Sequence, residues 1–350
     1  TLPSKEAGGV LEQLADRKED VVQRAVWSAM LELPKDSLSA KKAWLDTPVG
    51  GKGRLGQYAC LATVVRQDWP LEPVDLAYNI SFVDRNAHAA LAGKLTVERF
   101  PDCVRAFLLA NAQQPRNERE ILKQIRLMQL ALGDLNVQQQ KLDVYAGYSA
   151  NGDGGKIAAV AAPLFPQLAA CFPTPFAEAN RELARLFAML QQTDSALAER
   201  LISVCDKDTS PQDDLHYLIC LSRMPGTRTA GTTLRTADVV AGVHAKMQAR
   251  DQYASRNWPT RVGEMFAECV QRDSQLATAL LNLPTFGEPE QALFALRFPT
   301  EERQAAARKF FGDKSRIADD NRWTPPMVEL AATLPRAEAL PIIREAAEHF

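Results

Sequence analysis

Asp213, Asp214 and His216 are the residues of this chain whose types and spacing come closest to acid–base chemistry. A carboxylate two or three residues ahead of an imidazole can orient it, and an oriented imidazole exchanges protons near neutral pH. Arg223, Arg228 and Arg235 follow in and just before a polar stretch, Gly226 to Thr236, where an anionic group could dock. Together they outline an all-α enzyme or ligand-binding domain acting on an anionic or carbohydrate-derived substrate. A structural reading competes with it. Ser210-Pro211 is a good helix start, and Asp213 and Asp214 then fall in the first turn, where negative charge complements the helix dipole. On that reading the arginines belong to a solvated loop.

The second place to look for chemistry is the segment 143–156, rich in glycine and turn-formers. A phosphate loop fails there, because Ala150 stands where the first glycine is required and Ile157 where a hydroxyl would hold magnesium. A nucleophile elbow fails too, since Gly147-Tyr148-Ser149-Ala150 runs into Asn151 and no strand precedes it. Asn151 and Asp153 supply too few oxygens for calcium, which takes six or more. The segment remains as a surface loop, as a hinge between lobes 1–142 and 157–350, or as a lid over a ligand pocket.

Other chemical patterns are thin. None of His88, His216, His244 and His349 lies three or four residues from another, so no chelating helix face forms. Cys60, Cys103, Cys171, Cys205, Cys220 and Cys269 lack the paired spacing of zinc or haem sites and sit mostly in apolar helical contexts, as buried free thiols do. Neither a metal nor a cofactor is expected in this chain. Ser39-Ala40-Lys41-Lys42 matches a Ser-x-x-Lys nucleophile only as a short pattern in a polar linker, and Asn257-Trp258-Pro259 reads as a helix start with an Asn or Ser cap and a packing indole.

The elements that would position these residues are helices. Leu183, Leu186, Phe187 and Leu190 follow the i, i+3, i+4, i+7 rule. Asp194 can cap a second helix carrying Leu197, Leu201, Val204 and Cys205, and the helix from Pro211 carries Leu215, Leu218 and Ile219. These three read as antiparallel helices joined by short loops. Ile121, Ile125, Met128, Leu132 and Leu135 make another stripe, ending near Gly133-Asp134. Further helices are predicted over Val21–Leu33, Leu55–Val65, Val104–Leu109, Ala292–Phe298, Glu301–Phe311, Pro325–Leu334 and Ala337–Phe350. Many runs stop at an apolar residue followed by proline: Leu33-Pro34, Met224-Pro225, Leu283-Pro284, Phe298-Pro299 and Leu334-Pro335. Proline cannot continue a helix, so each pair marks a turn whose last apolar side chain still faces the core.

Alternating β-branched and aromatic runs are almost absent, which makes the chain all-α. The interval Pro299 to Pro335 is near the period of about 40 of two-helix HEAT and armadillo units, whereas Pro225 to Pro284 is much longer. The expected fold is therefore an α-α superhelix, a degenerate HEAT/armadillo-like solenoid, with residues 1–350 as one repeat domain. With 46% apolar and 24% charged residues over 350 positions, a large core can form. Lys plus Arg number 41 against 43 Asp plus Glu, so the basic excess that nucleic acid would require is missing. No run reaches the roughly 20 apolar residues that cross a bilayer; Ile157 to Phe172 holds two prolines and reads as a buried helix pair.

The strings Asp213 to Pro225, Asn257 to Arg261 and Ala292 to Arg303 resemble a HEAT-like helical region of very large multidomain bacterial proteins. In that family such a region accompanies a sugar-dehydrogenase-like β-propeller and a c-type haem domain. The resemblance covers roughly residues 117–350 and implies a spacer or docking module of an exported or periplasmic redox protein. This chain has no Cys-x-x-Cys-His and no propeller-like strand series, so neither haem nor quinone chemistry attaches to its residues. The start at Thr1 without an initiator Met, and the last helix running to Phe350, lead us to expect a fragment of a longer polypeptide. The leading expectation is a non-catalytic scaffold whose partners are proteins or neighbouring domains.

Overall fold

Prolines and short polar caps set most helix boundaries. In the computed structural model, residues 4–15, 25–26, 29, 95–134, 145–312 and 323–348 are described, and among them are fifteen α-helices, three short 3-10 turns and no strand. The fold is all-α. Of the predicted helix Val21–Leu33 only residues 25, 26 and 29 are described, all helical; Leu55–Val65, Leu33-Pro34, Ser39, Cys60, His88 and His349 lie outside the described residues. Helix α1 spans Ser4–Ala15.

The chain folds as two compact units, Thr1–Leu190 and Gln191–Phe350. The first contains α2 (Phe100–Ala112), α3 (Glu118–Ala131), α4 (Gly154–Ala161), α5 (Phe165–Ala170) and α6 (Ala177–Leu190). Asn117 caps α3 by accepting Glu120 N–H at 3.3 Å. The predicted stripe is the buried face: Ile121, Ile125 and Met128 are fully enclosed and Leu132 nearly so. α3 packs on both α2 and α6. The apolar run Ile157 to Phe172 is two short helices, with Pro166 in the first turn of α5, and Phe165 and Phe172 each meet Phe187 edge-on at 5.9 Å. The Gly-rich segment lies inside this unit. It forms a 3-10 turn at Ala146–Tyr148 and leads into α4.

The second unit holds α7 (Ser195–Ser203), α8 (Pro211–Arg223), α9 (Ala230–Gln248), α10 (Trp258–Arg272), α11 (Leu276–Leu281), α12 (Ala292–Ala295), α13 (Thr300–Gly312), α14 (Pro325–Ala331) and α15 (Arg336–Ala347). Asp194 caps α7, accepting Leu197 N–H at 3.0 Å, and Ser210 caps α8. Packing follows one rule: each helix from α7 to α12 touches the next but one, giving α7–α9, α8–α10, α9–α11, α10–α12, α11–α13 and α12–α14. Of the described apolar-Pro pairs, Met224, Phe298 and Leu334 are buried where their helices end, while Leu283, two residues past α11, is only partly buried. The proline then serves the next element: Pro299 directly precedes α13 and Pro335 is the N-cap of α15.

Two local readings change. The stretch Gly226 to Thr236, read as a solvated loop, is helical from Ala230; Thr229 caps it by accepting Thr232 N–H at 3.1 Å, and Thr232, Thr233 and Thr236 are buried. Threonine looks like loop by composition, but its hydroxyl can bond back to the preceding turn, as Thr236 does to Thr232 O at 2.7 Å. Asn257 precedes α10 without using its side chain as a cap, and Trp258 N–H bonds Ser255 O at 2.9 Å instead.

Candidate functional site

The acid pair and the histidine stand in the first two turns of α8, and each carboxylate has a defined structural partner. Ser210 Oγ accepts Asp213 N–H at 3.0 Å and donates to Asp213 Oδ2 at 2.7 Å. Asp214 is fully buried; its Oδ1 accepts from Thr209 Oγ1 at 2.6 Å and its Oδ2 pairs with the ammonium of Lys246 from α9. Lys246 also donates to Thr209 Oγ1 at 3.0 Å and to Asp206 O. A buried charge requires an opposite charge and full hydrogen bonding, and Asp214 receives both. His216 is half-buried, with Nε2 3.6 Å from Cys220 Sγ and its ring edge-on to Tyr217 at 5.4 Å. None of the three cavities described below is lined by Asp213, Asp214 or His216.

The three arginines go to three different places. Arg223 forms an ion pair with Glu268 of α10, at 3.1 and 3.2 Å. Arg228 closes the end of α8, donating to Leu221 O at 2.8 Å, Met224 O at 2.7 Å and Gly226 O at 3.2 Å around the point where the helix terminates. Burial pulls its pKa below the usual arginine value. Arg235 donates to Cys205 O. Arg228 borders a void of about 10 Å³, the size of one water, and Arg235 borders a cavity of about 140 Å³ shared with Lys207, Asp238 and Lys246. His244, away from the acid pair, lies 3.2 Å from Glu290.

The largest of the three cavities, about 290 Å³, belongs to the first unit and lies against the Gly-rich loop. Its lining comes from the 3-10 turn Val97–Arg99, the end of α3 and the start of α4. Leu95, Leu132 and Ile157 give an apolar floor, while Thr96, Glu98, Asn151, Asp153 and Lys156 supply polar groups. Glu98 and Lys156 form an ion pair, and this contact holds the Glu98 carboxyl down at about 2. Asn151 fixes the wall: its N–H bonds Leu132 O at 2.8 Å and its amide donates to Gly133 O at 3.1 Å. Gly133 has φ +88°, and a Cβ there would lie 2.4 Å from Asn151 O, so glycine is required on both counts. Asp153 Oδ1 accepts Gly155 N–H at 2.9 Å and Lys156 N–H at 3.2 Å, occupying the amides that a phosphate would need.

Sequence reading missed the residues that organise both units. Arg185 of α6 donates to Gly147 O at 2.5 Å, to Asp134 Oδ2 at 2.6 Å and to Gln129 Oε1 at 3.3 Å, and Arg126 adds a second guanidinium on Asp134 at 3.1 Å. This network pins the Gly-rich loop to α3 and α6. Lys246 was hidden because the helix carrying it was not recognised. Of the cysteines, Cys103 and Cys269 are enclosed and burial pushes their thiols up to about 12, while Cys171 is only half-buried. Among the described residues no group of three His, Cys, Asp or Glu is placed to hold a metal, and no helix is long and apolar enough to cross a membrane.

Comparison with family models, with curated proteins and with solved structures finds no match to this chain.

Proposed function

We propose that this protein is a non-catalytic helical scaffold, an α-solenoid module whose stacked helices present a long surface to proteins or to neighbouring domains of the same polypeptide. The observation that carries the reading is the next-but-one packing from α7 to α14. Helices that each contact the next but one can form two layers, the nearest-neighbour scheme of repeat arrays. The residues with the best claim to chemistry support the same reading, since Asp214, Arg223 and Arg228 are engaged in tying adjacent helices and turns together. The HEAT-like strings in the sequence extend the proposal to a module within a larger multidomain polypeptide.

Large apolar side chains left exposed on the array mark where a partner would rest. Leu234 on α9 is 54% exposed and Tyr253, after that helix, 90%. Tyrosine is enriched at protein interfaces because it buries much area at little entropic cost. Photo-reactive amino acids placed at Leu234 and Tyr253 of the full chain, irradiated in the cell that makes it, should give a discrete protein adduct. Absence of any adduct at both positions, with the chain folded and abundant, would contradict the scaffold reading.

A further inference from the structure

The cavity of the first unit has features that the scaffold reading leaves unused. Glu98 on the 3-10 turn and Lys156 in the first turn of α4 reach towards each other at its edge, one acid and one base on separate elements. Their side chains are 54% and 51% exposed, so the pair is screened by solvent and open to a ligand from outside. The cavity lies between the C-terminus of α3 and the N-terminus of α4, ends that Asn151 and Asp153 respectively cap. Beneath the charges are Leu95, Leu132 and Ile157, all at most 5% exposed. The wall is preformed by the Asn151 hydrogen bonds and by Gly133, and Arg185 holds the preceding loop at Gly147.

We propose that this cleft binds a free α-amino acid. The ligand ammonium is received by Glu98 and its carboxylate by Lys156, so that one weak exposed ion pair is replaced by two charge-assisted contacts across the ligand. Its side chain rests on the Leu95, Leu132 and Ile157 floor. The volume, about 290 Å³, suits a molecule of this size and lies at the lower end of the range of small-molecule pockets. Other ligand classes fit the lining less well. A phosphate brings no cation for Glu98 and no apolar group for the floor, and an uncharged polyol makes no use of the opposed charges. The site is independent of the array in the second unit.

The test is calorimetric titration of the full chain with each of the twenty free amino acids. For any that binds, the N-acetyl derivative and the carboxamide are titrated as well, because each removes one of the two charges. Saturable binding is expected for at least one amino acid, weakened about tenfold or more in both derivatives and in both Glu98→Gln and Lys156→Gln, as the loss of a charged hydrogen bond implies. Both side chains are half-exposed, so circular dichroism and thermal unfolding of the two variants should match the parent. No binding by any of the twenty overturns the proposal. So does binding that survives loss of either charge, on the ligand or on the protein, and so does tighter binding of methylammonium or acetate alone.

Discussion

The two units solve the same problem, packing short helices in water, by different means. In the second unit the recurring contact is apolar and sequential. Phe266 of α10 meets Phe294 of α12 at 5.0 Å and Phe298 at 6.0 Å; Phe286 meets Phe298 at 5.9 Å and Phe310 of α13 at 5.3 Å; Phe311 stacks on Trp323 at 5.9 Å. Charged side chains act there as local ties between neighbours, Lys246 with Asp214 and Arg223 with Glu268. In the first unit an irregular loop must be held over α3 and α6, and the Arg126, Asp134, Glu182 and Arg185 network does it. The largest of the three cavities lies beside the clamped loop, and a smaller one of about 140 Å³ lies in the second unit.

That contrast can be broken first at its most buried charge. Asp214→Ala would strand the Lys246 ammonium, whose side chain is only 16% exposed, and should cost about 3–5 kcal/mol in urea unfolding monitored on the second unit. If the loss is below about 1 kcal/mol, the pair is not the tie described here. Next is Arg185→Ala, which removes the guanidinium from Asp134, 4% exposed, and from Gly147 O. A loss of about 2–3 kcal/mol, with proteolysis appearing near residues 145–153, is expected; an unchanged cleavage pattern would mean that the loop holds itself.

Gly133→Ala should follow at about 1–3 kcal/mol, from the left-handed backbone and the contact with Asn151 O. It should also loosen the amino-acid cleft, whereas Gly242→Ala, with open space at its Cβ in the second unit, should be neutral or slightly stabilising.

The smallest effect is on thiol chemistry. At pH 8 in the folded chain, Ellman's reagent should modify Cys171 well before Cys103 or Cys269, and equal rates would contradict their burial. Because burial raises those two thiols to about 12 from an ordinary 9.0, their folded form favours the protonated state. Their contribution to stability is complete below pH 9 and declines as pH rises from 9 towards 12.

Much of the helical content was legible because it rests on local periodicity. Ile121, Ile125 and Met128 announce α3, Asp194 and Ser210 announce their caps, and Met224-Pro225 announces a stop, all within a few residues of chain. What escaped depends on distance. Asp214 and Lys246 are 32 residues apart, and Arg185 and Asp134 are 51 apart, so neither pairing leaves a mark in spacing. The start of α9 escaped because Gly231, Thr232 and Thr233 are poor helix formers; the two threonines are held in the helix by burial. Pro341 lies inside α15, and the helix expected from Ala337 onward runs through it; its missing N–H costs one hydrogen bond in a helix that packs on α14. The cleft was visible only as a glycine-rich loop that failed each phosphate, calcium and nucleophile pattern.

Native-state hydrogen exchange on the full chain, resolved helix by helix, tests the array most directly. If α7 to α14 form a stack of nearest neighbours, opening free energies should differ along it, and Asp214→Ala should lower protection chiefly in α7, α8 and α9 while α13 and α14 keep theirs. Residues 195–331 exchanging with one common free energy, reduced equally everywhere by Asp214→Ala, would describe a single cooperative globule and contradict the array.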